Sequence, residues 1–160
     1  MTGRKLLKMV LCVVMLLGMV VAVQAGTRGV TKNQITVGTH TALSGPVAGW
    51  GIDATNGVRM RFDEANETGG IYGRKIKYIV EDSQYRVPIA VQKANKLVNR
   101  DKVFFLIASI GTPMNNAIFP MLKKKNVPNL FPFTAARSMY EPLDKLKFAN
   151  LAPYYGNVRA

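Results

Sequence analysis

The residues that could do chemistry are few. His40 is the only histidine and Cys12 the only cysteine in 160 residues. A lone histidine just after a short apolar run, with no thiol or metal-ligand cluster beside it, reads as a structural residue with its ring nitrogens satisfied rather than as a base. Ser44 lies in "ALSGP", which is not the G-x-S-x-G turn that lifts a nucleophile above a sheet. Glu81 and Asp82 are adjacent at the end of an apolar run. Neighbours in a strand point to opposite faces, so the two do not make a paired-carboxylate site. No set of His, Cys, Asp or Glu has metal-ligand spacing. The sequence predicts a binder, with no enzymatic activity, no metal and no cofactor.

A ligand has one obvious place to go. "GTHTALSGPVAGWG", Gly38 to Gly51, is a glycine-rich turn between an apolar run and a helical pattern. Such turns often hold phosphate at a helix N-terminus. A phosphate loop needs G-x-x-x-x-G-K-[ST], whose lysine reaches the phosphates and whose hydroxyl binds magnesium. Here Gly38 and Gly45 are too far apart, and Pro46 and Val47 stand where the lysine and hydroxyl would be. The dinucleotide pattern G-x-G-x-x-G fails as well, so nucleotide binding is disfavoured.

The elements that position this turn alternate. "ITVGT" (35–39) is a β-branched run read as a buried strand. From about Asp53, the residues Ala54, Val58, Phe62 and Ala65 share a helical face, stopped by Gly69 and Gly70. "KIKYIVED" (75–82) is a second strand. Pro88 opens a helix that buries Val91, Ala94, Leu97 and Val98. "VFFLIAS" (103–109) is the most hydrophobic run after residue 25 and so the central strand. A third helix over 114–125 turns Ala117, Ile118, Met121 and Leu122 inward, with Pro120 as a kink or early end. "VPNLFPF" (127–133) and "KFANLAP" (147–153) are the last strands, with a helical turn near 136–143 between them. This is an α/β pattern: a Rossmann-like or flavodoxin-like parallel sheet flanked by helices. Ligands bind such sheets at the carboxyl ends of strands, near the topological switch point. The loops at 39–51, 109–113 and 131–138 are therefore the places to search.

The first 25 residues stand apart. Arg4, Lys5 and Lys8 precede an apolar run from Met9 to Val23, and "VQA" ends it with small residues at the cleavage positions. This is the pattern of a cleavable signal peptide. Cys12 follows Leu11, which is not small, so it is not a lipidation site. Without residues 1–25 the chain has no cysteine and a net charge of +10, against +13 for the whole. The basic residues are scattered at the ends of apolar segments, with Lys123–Lys125 suited to a helix C-terminus. In an exported protein this favours solubility over nucleic-acid binding.

Three stretches then carry a resemblance. "ITVGTHTALSGPVAGWG", "FDEANETGGIYGRKIKYIVEDSQYRVPIAVQKANKLVNRDKVFFLIASIGTP" and "VPNLFPFTAARSMYEP" follow in the right order from about Ile35. Together they resemble the start of a branched-chain amino-acid-type solute-binding protein, a type I periplasmic receptor of an ABC importer. The resemblance implies two α/β lobes closing on a small solute. Residues 1–25 would be the signal peptide, 26–34 a mature tail, and 35–160 the first ligand-binding lobe, truncated and without its second lobe. It implies that Ser44 follows strand one at the site and that Trp50 is either a flat wall for the ligand or a ring over the helix start. Thr112 would hold a ligand carboxylate, with a plain helix cap as the alternative. Phe133, Thr134 and Ala135 match the second contact loop, where Ala135 replaces a common hydroxyl and Phe133 is bulkier than usual. An amino acid, an amide or a small aromatic acid would fit. The partners implied are that solute and a membrane permease, with no nucleic acid and the membrane met only through the signal segment; the place implied is the periplasm. The alternative function is the ligand-sensing lobe of a membrane-anchored receptor. A lone lobe implies little tight binding, because closure supplies much of the buried surface.

Overall fold

The computed structural model describes residues 26–159; the signal-peptide reading of residues 1–25 lies outside the described residues. In chain order the elements are β1 (Gln34–Thr41), α1 (Ala48–Glu67), β2 (Lys75–Asp82), α2 (Val87–Asn95), β3 (Leu106–Ile107), α3 (Thr112–Lys125), β4 (Asn129–Leu130), β5 (Lys147–Phe148) and α4 (Tyr154–Asn157). A π-helical turn, Lys96–Arg100, extends α2, and a 3-10 turn, Arg137–Met139, lies between β4 and β5. All four strand pairings are parallel, in the order β2-β1-β3-β4-β5. The expected α/β class holds, and the "VFFLIAS" run supplies the central strand.

The pleat divides the helices between two faces. Tyr78 meets Phe62 of α1 edge-on, with ring centroids 5.3 Å apart. One residue on, Ile79 packs against the cluster of Ala94, Leu97, Val98, Val103, Leu106, Ile118, Leu122 and Val127 on the other face. That cluster joins α2, its π-turn, β3 and α3, and is the main core. Residues 26–33 are tied down at the amino ends of the strands. Arg28 donates to the Val98 carbonyl at 2.5 Å, and the Thr36 amide donates to the Gly29 carbonyl at 2.7 Å.

Several boundaries differ from the sequence reading, each for a local reason. α1 starts five residues before Asp53, because the Ala48 and Gly51 amides already bond the Gly45 and Val47 carbonyls. Trp50 therefore sits in its first turn. A side chain at Gly51 would strike the Ala42 carbonyl and the Thr41 hydroxyl, so glycine here lets α1 seat directly on the end of β1. β3 and β4 are shorter than their apolar runs because Ala108 and Phe131 take left-handed backbone, at φ 53° and 50°. β5 is likewise cut to Lys147–Phe148 of its expected 147–153. In α3 the expectation for Ala117 fails, since it is exposed; Met114, Asn115, Ile118 and Leu122 form the buried stripe. Pro120 does not end the helix. It lies on the exposed side, and α3 runs on to Lys125 and stops at left-handed Asn126.

From β1 the chain crosses to β2 on one side and then to β3 on the other, so the switch point lies between β1 and β3. The loops after these two strands leave in opposite directions and open a crevice at the carboxyl edge.

Candidate functional site

The rim of that crevice is set by Asp82. Its carboxylate accepts the Leu43 amide at 3.0 Å, the Ser44 hydroxyl at 2.6 Å and the Gln84 amide at 2.8 Å. Burial pushes this carboxyl up, but the hydrogen bonds from Ser44 and from backbone amides outweigh it and hold it below the usual carboxylate range. Its neighbour Glu81 turns to the other face and pairs with Lys93 at 3.0 Å and with Lys96. The two carboxylates thus serve separate structures, as strand geometry requires.

On the β3 side, Gly111 caps α3 in a backbone conformation (φ 95°, ψ 130°) that side chains rarely adopt. Asn115 stays fully buried by donating to the carbonyls of Ser109 (2.9 Å) and Gly111 (2.8 Å) and by accepting from Asn129 at 2.9 Å. This network ties the loop to β4. Thr112 is the first helical residue, and its side chain makes no cap bond. Its hydroxyl instead meets that of Thr134 at 2.5 Å.

Between these rims lies a cavity of about 300 Å³. Of the six residues singled out from the sequence, four line it: Trp50, Thr112, Phe133 and Thr134. Trp50 and Phe133 face each other with centroids 5.8 Å apart and planes tilted by 58°. Trp50 borders the cavity and remains 68% exposed. Ser44 and Ala135 are not in the lining. Ser44 is bound to Asp82 in the rim, and buried Ala135 uses its carbonyl to accept the Tyr154 amide at 3.0 Å. Thr134, its neighbour, lines the cavity.

The lining also includes Tyr85, Leu151 and Tyr154, which the sequence reading missed. The signal existed: Tyr85 follows β2 and Leu151 follows β5, so the rule that ligands gather at carboxyl ends covers both loops. Applying it to every strand, not three, would have found them.

His40 departs from expectation. It is fully buried on β1, yet among the described residues neither ring nitrogen has a hydrogen-bond partner. Burial disfavours the imidazolium and pushes its pKa down from 6.5 to about 4. It is absent from the cavity lining.

The fold is shared with known proteins. The model for periplasmic binding proteins matches residues 34–156. The chain belongs to the periplasmic binding protein family. Among its relatives, the Leu/Ile/Val-binding protein BraC3 of Rhizobium johnstonii is 30% identical over 102 residues, which is 64% of this chain and 28% of that protein. The leucine-specific-binding protein of Salmonella typhimurium is 36% identical over 86 residues, 54% of this chain and 23% of the relative. A substrate-binding periplasmic protein from Ralstonia solanacearum superposes with a TM-score of 0.73 at 29% identity, over 77% of this chain and 35% of that one. The chain thus spans about a quarter of the curated periplasmic binding proteins it matches and about a third of the solved one. Its sheet and flanking helices correspond to one lobe of such a protein.

Proposed function

We propose that this chain carries the first lobe, residues 35–160, of an extracytoplasmic solute receptor that captures an amino acid or a related small polar solute and delivers it to an ABC-transporter permease. The observation that carries the reading is the cavity at the switch point, where Trp50 from the start of α1, Thr112 from the start of α3, and Phe133 and Thr134 from the loop after β4 converge. Apolar rings with a few placed hydroxyls are what a small amphiphilic solute needs. Thr112 opens a helix of 14 residues, so its amide and hydroxyl sit where an anionic head is favoured. Family membership and the names of the relatives support the same role, which is capture without bond making. Residues 1–25 serve as the cleavable signal that delivers the receptor to the periplasm.

Trp50 is the only tryptophan, which makes the site its own reporter. A ligand seated against a ring that is 68% exposed removes it from water. Titration of the chain with millimolar leucine, phenylalanine and their amides is expected to shift Trp50 emission to the blue along a saturable curve. Emission that stays constant with every solute would contradict the reading.

A further inference from the structure

The basic residues look scattered along the sequence, but the fold gathers them. In a parallel sheet every strand starts at one edge, and the helices that return the chain end there too. At this amino edge Lys32 precedes β1, Lys102 precedes β3, Lys124 and Lys125 close α3 ahead of β4, and Lys145 precedes β5. These strands are neighbours in the order β1-β3-β4-β5. The five lysines therefore form one row across four strands, roughly 15 Å long at the usual strand spacing. All five are exposed, and none has an ion-pair partner among the described residues.

The acidic residues on this edge do not offset the row. Asp101 pairs with Lys96 at 3.5 Å and with Arg100 at 3.4 Å, and Asp144 pairs with Lys123 at 3.0 Å. Glu67 lies apart, beside Lys75 at the β2 end. The negative end of the α3 dipole accounts for Lys124 and Lys125, but Lys32 and Lys145 stand at no helix end. Two apolar side chains bracket the row. Tyr72, 94% exposed in the turn before β2, stands at one end, and Leu143, 95% exposed before β5, at the other. They are the two most exposed large hydrophobic residues among those described. Leu143 shares a surface hollow with Lys123 and Lys145. Lysines beside an exposed aliphatic chain and an exposed phenol suit a lipid surface, where ammonium groups meet phosphates and apolar groups enter the interfacial layer. A nucleic acid would use the charge but leave Leu143 in water.

We propose that this amino edge docks on an anionic lipid bilayer, with the row of lysines on headgroup phosphates and Tyr72 and Leu143 at the acyl boundary. The cleft lies at the opposite edge of the sheet, so the proposal does not depend on the solute. It adds a membrane contact to the one expected of residues 1–25. The test is partition of the chain and its variants onto vesicles of equal parts phosphatidylglycerol and phosphatidylcholine, read by flotation. Residues 1–25 are common to every variant, so differences between variants belong to the folded part. The substituted residues are all exposed, and each variant is expected to stay folded. Lys124→Gln with Lys145→Gln is expected to weaken partition about thirtyfold, from roughly fivefold per lysine. Arg59→Gln with Arg86→Gln removes equal charge from exposed positions off this edge and is expected to cost less than about threefold. Leu143→Ser is expected to cost about fivefold. Equal losses for the two double variants would show a response to net charge alone and overturn the proposal. Unchanged partition of the double lysine variant would overturn it too. A lysine loss without any loss in Leu143→Ser would overturn the bilayer in favour of a soluble polyanion. The cleft takes no part in these measurements, so the receptor reading is unaffected by their outcome.

Discussion

Lowering the pH from 7 to 5 should cost the folded chain about 2 kcal/mol through His40 alone. His40 has 6.5 as its ordinary pKa and about 4 in the fold, because burial penalises the charged ring and no partner among the described residues offsets that penalty. Between those values the unfolded chain takes up a proton that the folded chain refuses. Stability is therefore full above about pH 6.5 and falls as the pH drops toward 4. The carboxylates act in the same direction but lower on the scale. Glu81 and Asp82 are held below their ordinary values of 4.5 and 3.8, so their contributions are lost only as the pH falls below that range. The window from 7 to 5 thus isolates the imidazole. Urea unfolding of the chain and of His40→Leu at both pH values checks it. The variant should lose the slope, and an unaltered slope would show that burial at this position is incomplete in solution.

Replacing Gly111 by alanine should destabilise the chain by about 2 kcal/mol and also damage the cleft. Two costs combine. The backbone at φ 95° is one that a side chain adopts only under strain. A methyl group there would also lie 2.9 Å from Cε2 of Tyr85 and 3.0 Å from Sδ of Met114. Met114 is in the core and cannot retreat, whereas Tyr85 is partly exposed and can. The tyrosine is therefore expected to leave the cavity wall. Unfolding in urea gives the first effect, and loss of the Trp50 response to ligand gives the second. A variant with wild-type stability and an intact response would show that Gly111 is a bystander.

The contrast between what could be read from residues and what could not follows the range of the forces involved. Alternation of apolar runs with helical stripes is written locally, and it located five strands, the three long helices and the central position of β3. Thr112 and Trp50 were reached through the resemblance of their loops to those of solute receptors rather than through spacing, and both border the cavity. Long-range geometry was not legible. That Asp82 reaches back 38 residues to hold Ser44 depends on two loops meeting in space. The exposure of Ala117 reflects a stripe turned toward Asn115 and Asn129, a buried amide pair that a hydrophobic pattern misses. His40 looked like a satisfied core residue because sequence shows burial more readily than hydrogen-bond partners. The place of Tyr154 depends on another long-range bond, its amide donating to the Ala135 carbonyl in the loop after β4.

The central claim is that the carboxyl edge between β1 and β3 is a solute site. Mapping backbone amide shifts of the isotopically labelled chain on addition of millimolar leucine or benzoate tests it most directly. The account predicts shifts gathered at Trp50, Tyr85, Gly111, Thr112, Thr134 and Tyr154, which only the folded cleft brings together. Shifts confined to the outward face of α1 or to the β5 edge, or none at all, would contradict it.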